Sequence, residues 1–412
     1  MFKIYLDYAA TAPVRPKIKA KILPYLADKF GNPSSIHSFG REARKAIDKA
    51  RENVARFLNC QPLEIIFTSG GTEADNLAVR GIVENAKIKM QKSKFIPHLV
   101  TSTIEHHAVL HTCKILEKER KAQVSYLTVD KNGLINPEDV KKTIKPNTVL
   151  VTIMYANNET GTIQPIREIG KIIEKENRLR ELRKNKNKIY FHTDAVQAAG
   201  YLNCDTKFLH ADLLSISGHK LAAPKGIGAL FVKKGVPLEP ILTGGEHEYQ
   251  KRAGTENVAG IVALGQAVLL ANNSQEKIRI KKLRDWLEKQ IIAKIPDVQL
   301  NGHSHQRLPN ISNLNFQFVE GESILLNLDL SGIAASSGSA CTSGSLEPSH
   351  VIMAMHHNPL RTHGSIRFSL GWKTTKAEID YLIKILPTVI IKLRKISPLG
   401  KKSNTNSYQL NI

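Results

Sequence analysis

Residues Ser336–Gly344 read SSGSACTSG and place one thiol, Cys341, among side chains too small and polar to build a core. Such a stretch is a loop, and a sulfur carried on it becomes a nucleophile once it is a thiolate. The other three cysteines, Cys60, Cys113 and Cys204, sit beside apolar neighbours in FLNC, HTCKIL and YLNC and are expected to fill core. No C-x-x-C pair occurs, which argues against a zinc knuckle and a disulfide framework.

A second group of reactive residues stands at the ends of apolar runs: Ser69–Thr72, His106, Asn158, Asp194 with Gln197, and Ser217, His219 and Lys220. TSGGTEADN is a glycine-rich turn opening a helix, a place where backbone N–H groups and the helix dipole favour a phosphate. In SISGHKLAAPKGIGAL, Lys220 follows an apolar run, where a partly desolvated amine loses its proton readily and can form a Schiff base with an aldehyde. Asp194, in YFHTDAVQ, then finds a cationic partner in a protonated pyridine nitrogen, and His106 a ring to stack on. Phosphate cradle, imine-forming lysine, carboxylate and imidazole together indicate pyridoxal phosphate.

The elements that must position these groups alternate. From about Glu64 to Lys234, short β-branched runs (EIIFTSG, HLVTSTIEH, TVLVTIMYANNE, KIYFHTDA, ADLLSIS, GIGALFVKK) are separated by amphipathic helical stretches. This predicts an α/β fold, a mostly parallel sheet covered by helices on both faces, with ligands beyond the carboxyl ends of the strands. After Asn257 the pattern turns to long helices broken at NNS, then to mixed strands and helices, one of them from about Ala377 to Ile396 behind a Thr375/Glu378 capping box. Two domains follow: a large one at 12–264, and a smaller α+β one at 265–412 joined by 1–11, which carries the Cys341 loop.

At 412 residues and 42% hydrophobic content the chain is long and apolar enough for both. No apolar run reaches membrane-spanning length and the start lacks a signal-peptide pattern, so a cytoplasmic location without membrane partners is expected. The 59 Lys and Arg against 37 Asp and Glu leave +22, a field that attracts polyanions and acidic proteins. Outside the run Arg178–Lys188 the basic residues are scattered and lack interleaved aromatics, which argues against nucleic-acid binding as the primary function. His356, His357 and His363 fit no metal-ligand spacing, so no metal is expected.

Taken in order, YLDYAATAPV, FGNPSSIH, SGGTEADN, EHHAVL, NNETGTIQPI, HTDAVQAAG, SGHKLAAPKGIGAL, RAGTENVAG, SSGSACTSG and SIRFSLG cover nearly the whole chain. The sequence resembles the cysteine desulfurases, class V aminotransferases of the fold-type I pyridoxal-phosphate enzymes, in the group with the long SSGSACTSG loop. The resemblance implies removal of sulfur from L-cysteine, leaving L-alanine and a persulfide on Cys341. It implies a homodimer that hands the sulfur to acceptor proteins such as an iron-sulfur scaffold or a tRNA thiolase. Carried over by position, Lys220 is the lysine joined to the cofactor. Gly71, Thr72, Ser217 and His219 hold its phosphate, and Thr255 reaches the phosphate of the other subunit. Asp194 pairs with the pyridine nitrogen, Gln197 and Asn158 lie near the ring hydroxyl, and His106 stacks on the ring and moves protons. Arg367 clamps the substrate carboxylate, a task suited to a bidentate guanidinium. The connection RLRELRKNKNKIYF is longer and more basic than is usual in the family. Two rivals remain at this stage: an aminotransferase or selenocysteine lyase on the same fold, and a basic RNA-binding protein without catalysis.

Overall fold

In the computed structural model, residues 3–89, 95–185, 187–271, 273–337, 348–358 and 362–398 are described. Cys341, the expected nucleophile, lies outside them.

The strands are β1 (Ile4–Tyr5), β2 (Ile65–Thr68), β3 (His98–Ser102), β4 (Gln123–Leu127), β5 (Thr148–Thr152), β6 (Tyr190–Asp194), β7 (Leu213–Ser217), β8 (Gly228–Val232), β9 (Val298–Leu300), β10 (Ile311–Phe316), β11 (Ile333–Ala334) and β12 (Ser365–Ser369). Seven form the central sheet in the order β2-β8-β7-β6-β5-β3-β4. The neighbours from β7 through β4 pair in parallel, while β8 is antiparallel to both β7 and β2. The carboxyl ends of β2, β3, β5, β6 and β7 therefore share one edge, as the alternating pattern requires. Strands β2, β3, β5 and β7 are buried at every position, because helices cover both faces. Strand β4 was not anticipated: it is the sheet's edge, and Gln123–Tyr126 are partly or fully exposed, so no apolar run marks it.

The helix Ser38–Leu58 packs its buried face, including Ile47, Ala50 and Val54, against the helix Val258–Ala271. Gly265 permits the contact, since a Cβ there would lie 2.6 Å from the Cα of Ala50. The expected break at NNS is a helix start, with the Asn273 side chain accepting from the Glu276 N–H (3.1 Å) to cap Ser274–Lys294. The Thr375/Glu378 capping box is present at Lys376–Ile396. A separate apolar cluster joins β1, β10 and β12 to this last helix through Ile4, Leu6, Phe316, Phe368 and Leu386.

Three successive non-glycine residues, Glu248, Tyr249 and Gln250, have φ of 46°, 58° and 64°, a left-handed conformation that L-residues adopt at a cost. The buried Glu248 carboxylate holds this turn. It accepts both guanidinium ends of buried Arg51 (2.7 and 3.0 Å) and the Phe67 N–H (2.9 Å), and Arg51 also lies over the Phe67 ring. Glu248→Gln leaves the Arg51 cation buried and uncompensated, and should destabilise the protein by about 3–5 kcal/mol in urea unfolding. The double change with Arg51→Met should recover part of that loss; equal stability of Glu248→Gln and the parent would contradict this reading.

Candidate active site

Lys220 lies in the turn Gly218–Leu221 that follows β7, half-buried. Its Nζ donates to the carbonyls of Ala9 (2.5 Å) and Ala10 (2.8 Å). Gln197 shares the first of these acceptors, its Nε2 lying 2.9 Å from the Ala9 oxygen. Asp194 ends β6 with 6% of its surface exposed, one oxygen accepting the Val196 N–H at 2.8 Å. Burial pushes its carboxyl up to about 6, against the opposing pull of that N–H and of the Lys220 charge.

His106 caps the helix His107–Lys118, its Nδ1 accepting from the Ala108 N–H at 3.1 Å. Burial first, and then the nearby Lys220, lower its pKa to about 4, so the imidazole is neutral at pH 7 and able to take a proton. His219 is lowered to about 4 for the same two reasons, and its Nδ1 lies 3.3 Å from the Thr11 hydroxyl.

Gly71 opens the helix Gly71–Lys89, whose first-turn N–H groups have no partner within the helix. A Cβ on Gly71 would meet Val196 Cγ2 at 2.7 Å and Ser217 Cβ at 3.5 Å, so only glycine keeps this cradle open beside Ser217. Thr72 is exposed on the same first turn, where Glu73 is neutralised by Arg252 at 2.9 Å. Buried Arg367, on β12, donates from Nη1 to the Asn158 carbonyl (2.9 Å) and from Nη2 to Asp7 (2.9 Å), while its Nε has no hydrogen-bond partner among the described residues. Thr255 is not gathered with the others: it is exposed, in a cavity it lines with Ser69, Arg252 and Glu256.

Sequence reasoning passed over three residues here. Asp7 orients Arg367, and Glu105 and Asp75 form the buried acidic floor behind Asp194. Glu105 Oε1 accepts the Ser102 hydroxyl (2.6 Å) and the Met154 N–H (3.0 Å), while Oε2 is buried with no partner among the described residues. Burial raises Glu105 to about 8. Asp75 is raised well above the carboxylate range by burial and then by the charge of Asp194. The Glu-His pairing in EHHAVL was the available signal for Glu105, since a carboxylic acid next to a strand-end histidine calls for a partner.

The thiols of Cys60, Cys113 and Cys204 are pushed up to about 12 by burial, which keeps them protonated and inert. Among the described residues no group of three His, Cys, Asp or Glu side chains could hold a metal ion, and no helix is long and apolar enough to cross a membrane.

A buried carboxylate, a half-buried amine and a helix N-terminus with no room for a Cβ fit the ring nitrogen, aldehyde and phosphate of pyridoxal phosphate. The aminotransferase class-V family matches residues 4–382. The chain is 48% identical over 406 residues to the cysteine desulfurase IscS of Dictyoglomus turgidum, covering 98% of each. A solved NifS-like protein superposes with a TM-score of 0.85 at 32% identity, over 95% of this chain and 100% of the other. SspA, solved in complex with cysteine, gives 0.77 at 34% identity over 89% and 99%. With its strand-end groups in this arrangement and likeness along its whole length, the chain belongs to the aminotransferase class-V family, among the cysteine desulfurases.

Proposed function

We propose that this protein removes sulfur from L-cysteine, releasing L-alanine and leaving a persulfide on Cys341. The observation that carries the reading is the Lys220 amine, held on two carbonyls within the electrostatic reach of both Asp194 and His106. Bound pyridoxal phosphate supplies an aldehyde for the amine and a protonated ring that accepts electrons.

In this reading Gly71, Thr72, Ser217 and His219 hold the phosphate. Asp194, an anion at pH 7, faces the ring nitrogen, and Gln197 and Asn158 lie by the ring hydroxyl. His106 stacks on the ring. Arg367, already aligned by Asp7 and the Asn158 carbonyl, turns its remaining donor edge to the substrate carboxylate. The freed Lys220 amine takes the substrate α-proton. The Cys341 thiol gives its proton to a neutral base such as His106, whose Nδ1 leaves the Ala108 N–H to take it, and attacks the substrate sulfur. The S–S bond forms as the C–S bond breaks, the electron pair passes to the substrate carbon, and protonation there gives alanine.

The chain is proposed to act as a cytoplasmic homodimer, with exposed Thr255 reaching the partner's phosphate and Cys341 passing its sulfur to an iron-sulfur scaffold or a tRNA thiolase. We propose two domains as well, supported by the separate apolar clusters. The helix Val258–Ala271 runs unbroken past residue 264, so the junction falls after it.

Cys341→Ala should bind cofactor normally yet lose at least about a hundredfold of its alanine production from L-cysteine. An alanine assay with the visible spectrum as a binding control checks this, and full turnover would refute the assignment.

The acidic floor sets a second expectation. Glu105 is raised from an ordinary 4.5 to about 8, so the stability tied to its protonated form is complete below about 4.5 and is lost as pH rises through 8. Glu105→Gln should flatten the fall of the urea midpoint between pH 5 and 8, a fall of up to about 1.4 kcal/mol per pH unit from one group. Parallel curves for the two proteins would show that Glu105 is ionised in the folded state.

A further inference from the structure

The helix Ile166–Leu182 leads into the basic run that the catalytic reading leaves unused. Arg167, Lys171, Lys175 and Arg178 repeat at intervals of four, four and three and are all exposed, so they form one stripe on the helix's outer face. At 1.5 Å per residue the stripe is about 16 Å long. None of the four is ion-paired among the described residues; of the four acids on the helix, Glu174 lies 3.1 Å from His210 and Glu176 3.6 Å from Arg180, while Glu168 and Glu181 are exposed and leave the helix a basic excess.

One aromatic missing from the local sequence is brought to this helix by the fold. Arg167 lies 4.3 Å over the ring of Phe208, which is 40% exposed and belongs to the short helix Thr206–Leu209. A row of cations without ion pairs ending in an exposed ring, that of Phe208, is the chemistry that tracks a phosphodiester backbone and stacks a base. An acidic protein would need an apolar centre to anchor it. Bases locked in a duplex could not reach the Phe208 ring.

We propose that this face binds single-stranded RNA, as a function separate from the desulfurase chemistry. The probe is a fluorescein-labelled, mixed-sequence RNA 12-mer titrated with holoenzyme by anisotropy over a series of KCl concentrations. The variant R167Q/K171Q/K175Q/R178Q should bind about tenfold or more weakly, and its log K against log[salt] slope should shrink by about 2–3, near 0.7 per lost phosphate contact. Phe208→Leu should weaken binding about fivefold or more with the slope unchanged. Cysteine-to-alanine turnover should stay at the parental rate in both, which also reports that they fold.

A control, K289Q/K384Q/K392Q/K395Q, removes the same charge from exposed positions elsewhere and should change affinity far less. The proposal fails if the stripe variant binds RNA as the parent does, or if the control loses as much. It fails too if labelled polyglutamate binds as tightly as RNA and Phe208→Leu alters neither, which would make the face a docking surface for acidic proteins.

Discussion

An ammonium group in a half-buried cleft must find acceptors, and Lys220 finds them in the carbonyls of Ala9 and Ala10. Those carbonyls belong to a segment that runs between the two apolar clusters. Strand β1 pairs with β11, the Ala9 N–H bonds to the Ser369 hydroxyl (2.9 Å), Asp7 pairs with Arg367, and the Ala12 N–H bonds to the His219 carbonyl (3.0 Å). The N-terminal segment thus ties the amine that would carry the cofactor to the guanidinium that would hold the substrate. A shift of this segment would move both.

The second constraint is charge. Asp75, Glu105 and Asp194 lie in one poorly solvated region, where like charges and burial resist full ionisation. The neighbouring His192 is fully buried and held near 3 by burial alone, so it contributes no positive charge. Its ring is instead fixed between the hydroxyls of Thr152 (2.8 Å) and Ser215 (3.0 Å). Asp194, raised only to about 6 where Glu105 is raised to about 8, and with Lys220 beside it, is the acid placed to carry the negative charge. The site therefore presents one buried anion, one amine and two neutral imidazoles, those of His106 and His219.

Much of this was legible in the chain because parallel strands buried on both faces leave continuous apolar runs, and each run ends on a polar residue at the same edge. Lys220, Asp194, His106 and Gly71 could be found that way. Strand β4 could not, because an exposed edge strand has no such run, and the reversed direction of β8 leaves no local mark. Asp7, Arg51 and Glu248 matter through partners about 200 residues or more away, which no local pattern encodes. Phe208 likewise meets the basic helix only in three dimensions. The thiol loop that composition leads one to expect at Cys341 lies outside the described residues.

The central claim is that the amine at position 220 is the covalent attachment point of the cofactor. Purified holoenzyme reduced with borohydride, digested and mapped by mass spectrometry tests this directly. The peptide containing Lys220 should carry a pyridoxyl-phosphate adduct at that residue. An adduct on another lysine, or none in protein that still turns over L-cysteine, would contradict the account.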